Sequence, residues 1–205
     1  MTVSPDDYAW LEDDDWSWVP EFGYCVTSIS RISLDDVLAA LDATSVGTVA
    51  GFAALDQAAG RYWENDGPAG DVQLVGFVES DAGVLLLEGN GFVGVSDSRI
   101  PPLSAGRDVV AHYRNVNAAS RFVWWRDGAP VLDFDAVTGY VEVEPIDEVR
   151  ARVTEYGLPI DPEVDVEYSW IPRGEFALAE RISGFPLTPA LLRGELHAAE
   201  VTLRV

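Results

Sequence analysis

The chain contains no lysine: all thirteen of its basic side chains are arginine. That excludes a Walker A lysine, a kinase strand lysine, a Schiff-base lysine and a Ser-Lys dyad. A single cysteine, Cys25, allows no internal disulfide framework, and the apolar run over residues 24–29 around it suits a buried thiol. The two histidines, His112 and His197, have no partner at metal-ligand spacing, so no metal and no cofactor is assigned. No apolar run approaches the roughly 20 residues of a membrane span. Residues 1–7 lack the basic and apolar parts of a signal peptide, so a cytoplasmic protein is expected, with no membrane partner.

What the chain has in excess is negative charge, −22 at pH 7. Phosphates would be repelled over much of such a surface, so no nucleic-acid partner is expected; a basic protein partner, or solubility alone, fits the charge. The charge is segregated. Between Arg99 and Arg126 stand five arginines (99, 107, 114, 121 and 126) against one acid, Asp108, a basic island in an acidic chain.

At 205 residues, almost half of them hydrophobic, the chain suits a single domain. Residues 1–23 form an acidic, tryptophan-rich segment, 72–137 a sheet core and 138–205 a mainly helical part. Runs of β-branched and aromatic residues at 24–30, 72–79, 84–88, 92–95, 108–115, 121–126 and 129–136 predict strands. Asp127-Gly128 is a type I′ hairpin signal that would set Trp124 opposite Val131 and Phe122 opposite Asp133. Helices are predicted from Ser4-Pro5 to about Leu11, after Ser33, over 46–59, over 145–156, over 175–183 and from Pro189 to about Leu196. The tail from Ala198 onward reads as a returning edge strand. The expected class is α+β: a central antiparallel sheet of about five to seven strands with flanking helices in the N- and C-terminal parts.

Two stretches are candidate binding surfaces. In the first, Trp10, Trp16 and Trp18 would supply apolar contact area while Asp13, Asp14 and Asp15 meet basic groups on a protein partner. In the second, Arg114 and Arg121 offer forked donors to a small anionic ligand, Asn115 and Asn117 fix a turn or a polar group, and Trp124 is a stacking wall. Both have plainer readings, as a solvated loop with inward tryptophans and as a turn with paired arginines. Gly89-Asn90-Gly91-Phe92-Val93-Gly94 matches the dinucleotide fingerprint, but Phe92-Val93-Gly94-Val95 favours a strand where a helix is needed, so a glycine turn is the better reading. His112 suits a hydrogen-bonded sheet residue, and Asp133 with Asp135 is one of the acid pairs that 35 acids generate by chance. No catalytic residue is assigned.

Several stretches resemble a family of uncharacterised bacterial proteins common in high-G+C Gram-positive genomes. They are residues 24–27 with the Leu-Asp-Asp-Val-Leu helix, 88–94, the core Asn115-Val116-Asn117-Ala118-Ala119-Ser120-Arg121-Phe122, 177–182 and 187–189. The resemblance implies no reaction. Charge, the acidic tryptophan segment and the missing catalytic groups point first to a non-catalytic interaction protein, such as an immunity protein that blocks a basic toxin domain. A small-anion or nucleotide-like ligand sensor built on residues 114–125 is the alternative, and an enzyme of unrecognised type the third.

Overall fold

A computed structural model of the chain describes residues 3–66, 72–161 and 166–203. Its strands are β1 (Gly23–Ser30), β2 (Thr44–Ala50), β3 (Val72–Ser80), β4 (Gly83–Gly89), β5 (Asp108–Asn115), β6 (Ser120–Arg126), β7 (Ala129–Asp135), β8 (Tyr140–Val141) and β9 (Glu195–Thr202). Its helices are α1 (Trp18–Phe22), α2 (Leu34–Ala40), α3 (Phe52–Asp66), α4 (Ile146–Glu155), α5 (Trp170–Ser183) and α6 (Pro189–Arg193), with a 3-10 helix over Pro5–Glu12. The strands form one sheet in the order β2-β9-β3-β4-β1-β5-β6-β7-β8, every pairing antiparallel.

The fold mixes helices with one large antiparallel sheet, as expected, but its nine strands exceed the expected five to seven. β2 and the two-residue β8 were not expected as strands, whereas the tail was expected at an edge. The stretch expected to be helical from residue 46 divides at Gly51, whose φ of 86° breaks it; β-branched residues before it make β2, and α3 begins after it. The tail forms β9, which pairs with β2 on one side and β3 on the other instead of lying at an edge. Leu196 and Ala198 face one core cluster and Ala199 and Val201 the other, as burial on both faces requires. Conversely, the strand expected over 92–95 is a short 3-10 turn, Val93–Val95.

Both faces of the sheet are covered. One carries α3, α4, α5 and the N-terminal 3-10 helix, packed on Tyr24, Val26, Leu85, Leu87, Val110 and Phe122. The other carries α2 and the irregular chain around Val93, Ile100 and Leu103, packed on Ile29, Leu86, Ala111 and Trp125. The Asp127-Gly128 hairpin forms with both residues at positive φ, but a bulge between Trp124 and Trp125 shifts its register by one. Trp124 therefore faces Leu132, Phe122 faces Phe134, and Asp133 falls on the face that also carries Arg121.

α5 begins five residues earlier than the expected start at Glu175. Pro172 is tolerated because it sits in the first turn, where backbone N–H groups have no intrahelical acceptor. Glu175 is thereby placed inside the helix and at 0 % exposure. Among the described residues, no helix is long and apolar enough to cross a membrane.

Candidate functional site

The N-terminal aromatic residues turn inward. Trp16 is buried, Trp10 packs on it at 5.6 Å between ring centroids, and Trp18 stacks on Phe52 at 5.7 Å. Asp15 pairs with Arg193, while Asp13 and Asp14 stay exposed on the turn between the 3-10 helix and α1. Arg173 on α5 fastens this segment: its guanidinium donates to Asp6, Glu12 and the Pro5 carbonyl.

The second set does not converge either. Arg114 pairs across the strands with Ser120 and Arg121 with Tyr113, so the two arginines lie on opposite faces of the sheet. Arg121 is held by Asp97 at 2.8 Å and Asp133 at 2.6 Å, and these carboxylates hold its guanidinium firmly protonated. Trp124 shares the Arg114 face but sits at the far end of its strand, its indole N–H donating to Asp108. Asn115 accepts the Asn117 and Ala119 N–H groups through its side chain and so shapes the turn, leaving Asn117 exposed. The rest of the basic island is equally dispersed, with Arg126 on Asp108 and Arg99 donating to the Leu41 carbonyl.

Arg114 differs from all of these. It is 1 % exposed, and neither of its terminal nitrogens has a hydrogen-bond partner among the described residues. Around it under α5 lie three more buried polar groups. Tyr24, its cross-strand neighbour on β1, donates a hydroxyl to Glu175 at 3.3 Å, and the other Glu175 oxygen accepts nothing. Burial pushes the Glu175 carboxyl up to about 8, against the opposing pull of Arg114 and Tyr24. His112, two residues along β5, was expected to be hydrogen-bonded; instead both ring nitrogens are unpartnered and its ring stands edge-on to Phe176 at 4.3 Å. Desolvation lowers its pKa to about 3, so it is neutral at pH 7. At that pH burial favours the protonated form of Glu175, which leaves Arg114 as the charged member of these four groups.

The guanidinium carbon of Arg114 lies 4.1 Å from the ring centroid of Tyr168, a residue 56 % exposed. Tyr168 in turn lines a cavity of about 430 Å³ whose other apolar walls are Leu11, Pro20, Val116 and Pro172. Ser169, the N-cap of α5, also lines it and makes no capping hydrogen bond. In a chain so acidic, the first turn of α5 contains no acid, whereas α2 and α4 each have two there. The positive end of the α5 dipole thus opens on the cavity, which Tyr168 lines and Arg114 does not. Glu12 and Glu21 line the same cavity.

The glycine-rich stretch is not a phosphate cradle. The Glu88 carboxylate accepts the Val93 and Gly94 N–H groups, each at 2.8 Å, occupying the amides that an anion would use. Burial raises Glu88 to about 7 in spite of those amides. A Cβ on Gly91 would lie 2.4 Å from Glu88 Oε2, and one on Gly94 1.8 Å from Thr27 Oγ1. Close approach is what these glycines permit. Among the described residues, no three His, Cys, Asp or Glu side chains are grouped to hold a metal ion.

Sequence reasoning named Arg114 but missed Glu175, Tyr24 and Tyr168. A signal existed for Glu175, which stands at helical spacing with Ile171, Leu178 and Ile182 and so belongs to the buried stripe of α5. Tyr168 had none, because its role depends on a contact between distant strand and loop. A family model described as a family of unknown function, DUF6461, matches residues 1–203. No curated protein and no solved structure matches the chain.

Proposed function

Because the chain belongs to this family of unknown function, whose description assigns no reaction, we propose from its site that the protein is a non-catalytic binder of a small organic anion. The anion reaches Arg114 from the cavity that Tyr168 lines, and must displace the Tyr168 ring that covers the guanidinium. The observation that carries this reading is the buried guanidinium whose terminal nitrogens donate to nothing. A buried charge costs several kcal/mol unless paired, and a planar fork with open donors is suited to a carboxylate or phosphate. The open end of α5 adds a fixed partial positive charge. The test is thermal unfolding of wild type and Arg114→Met over a benzoate and phosphate titration. Wild type is stabilised in proportion to the logarithm of ligand concentration, and the variant is not. Identical responses would sink the reading.

An acidic inhibitor of a basic toxin domain is the second reading. Its support is the exposed pair Asp13 and Asp14, which form no ion pair among the described residues, together with the −22 charge. Stoichiometric recovery of a basic protein from host lysate, lost in Asp13→Asn/Asp14→Asn, tests it.

A further inference from the structure

The sheet ends on β2, which has β9 as its only strand neighbour among the described residues. Its outward N–H and C=O groups therefore form an open row, and all of its residues are exposed except the half-buried Val49. The opposite edge is protected. β8 has only two residues, and the part of β7 that it leaves uncovered contains Pro130, which has no N–H to offer. β2 has neither proline nor charge. Residues 43–55 are the longest stretch of the sequence without a charged side chain, in a chain of net charge −22. A bulge between Ser45 and Gly47 blunts one end of β2, but residues 47–50 run in regular register with β9.

From this edge we infer a self-association surface: two copies of the chain pair β2 to β2, antiparallel across a twofold axis, and one sheet runs through the dimer. A single symmetric contact then satisfies the open backbone row of both copies. Charge selects a second copy over other partners. A basic protein is drawn to the acidic surfaces, whereas two acidic chains approach each other most easily where charge is missing. The acids of β9 oppose the ends of β2, Glu200 at Thr44 and Glu195 at Ala50, while its middle faces Ala198, His197 and Leu196. Val46, 49 % exposed, gains a cross-strand neighbour. Antiparallel partners project to the same face, so the twofold axis is normal to the sheet and one residue of β2 faces its own copy. With that residue among 47–49, the two copies of Thr48 are direct or diagonal neighbours on one face.

The experiment is sedimentation velocity of the full chain over a concentration series, at low and high sodium chloride. A contact of so few residues is at the weak end of interface sizes, so reversible dimers form at roughly tens of micromolar. They tighten as salt rises, because salt screens the repulsion between two acidic chains. Thr48→Glu and Thr48→Arg, at an exposed side chain, each set a charge against its own copy and weaken the dimer on the order of tenfold. An equimolar mixture of the two variants sets opposite charges together and restores it. Hydrogen exchange gives a reading that needs no variant: amides of residues 44–50 slow as wild-type concentration rises, and those of β8 do not. A chain that stays monomeric up to about 1 mM leaves the edge to a strand of some other protein and overturns the proposal. So do variants that dimerise as wild type does, variants that stay monomeric when mixed, and a dimer that salt dissociates.

Discussion

A guanidinium that is 1 % exposed and donates from neither terminal nitrogen burdens the folded state, since desolvation of the charge is not repaid by hydrogen bonds. Arg114→Met removes the charge and keeps the packing volume, so unfolding free energy should rise by about 1–4 kcal/mol even as ligand response is lost. Chemical denaturation decides it; a fall of about 3 kcal/mol or more would mean that Arg114 is a paired structural residue. Gly94 is the opposite case, a residue whose absence of side chain is what the fold requires. Gly94→Ala would press a methyl to 1.8 Å from the Oγ1 of fully buried Thr27, and overpacking of that kind costs about 1–3 kcal/mol by the same measurement. The fingerprint spacing of these glycines was visible in the sequence, but its reason was not, because β1 and the Glu88 side chain reach Gly94 and Gly91 only in the folded chain.

Elements whose signals are local were readable from sequence. Ser33 caps α2 through its hydroxyl, accepting the Asp36 N–H at 3.2 Å, and Asp127-Gly128 makes its hairpin. Elements decided by distant partners were not. β9 is a central strand because β2 and β3 flank it, and nothing within residues 195–202 states which neighbours the strand will find. The bulge at Trp124 and Trp125 likewise answers to packing: it brings Phe122 onto Phe134 at 5.0 Å and Asp133 beside Arg121. The N-terminal 3-10 helix has a capping box but an almost uniformly mixed face, and it is held by α5 through Arg173 and the Tyr8–Glu180 hydrogen bond of 2.6 Å. Arg173→Ala removes every side-chain tie from that residue at once. Limited proteolysis should then cleave within residues 5–17 several-fold faster while cleavage elsewhere is unchanged; uniform acceleration would show instead that the segment and the sheet unfold as one unit.

Across the whole molecule, the buried titratable groups make stability depend on pH in a direction unusual for so acidic a chain. Glu88 and Glu175 have folded-state values of about 7 and 8, above the ordinary glutamate value of 4.5. Each therefore keeps its proton in the folded state over a range where the unfolded chain has lost it. Their contribution is complete below pH 4.5 and is lost as pH rises through 7 and 8. His112 runs the other way: its folded value is about 3 against 6.5, so its contribution is complete above pH 6.5 and is lost as pH falls toward 3. Between 4.5 and 6.5 the two trends oppose each other; above 6.5 the unfolded-state histidine loses its proton as well, and the glutamates set the direction up to pH 8. Unfolding free energy should thus fall across that upper window, with a slope of at most about 1.4 kcal/mol per pH unit for each proton involved. Glu88→Gln keeps the size of the side chain and removes the proton equilibrium, so within this window it should flatten the slope up to about pH 7; Glu175→Gln should flatten it up to about pH 8. Urea denaturation of the three proteins at half-unit pH intervals makes the comparison. A wild-type profile that is level or rising across this window would mean that these two carboxyls are ionised in the fold. Arg114 would then already have its counter-charge in Glu175, and the case for an external anion would lose its electrostatic basis.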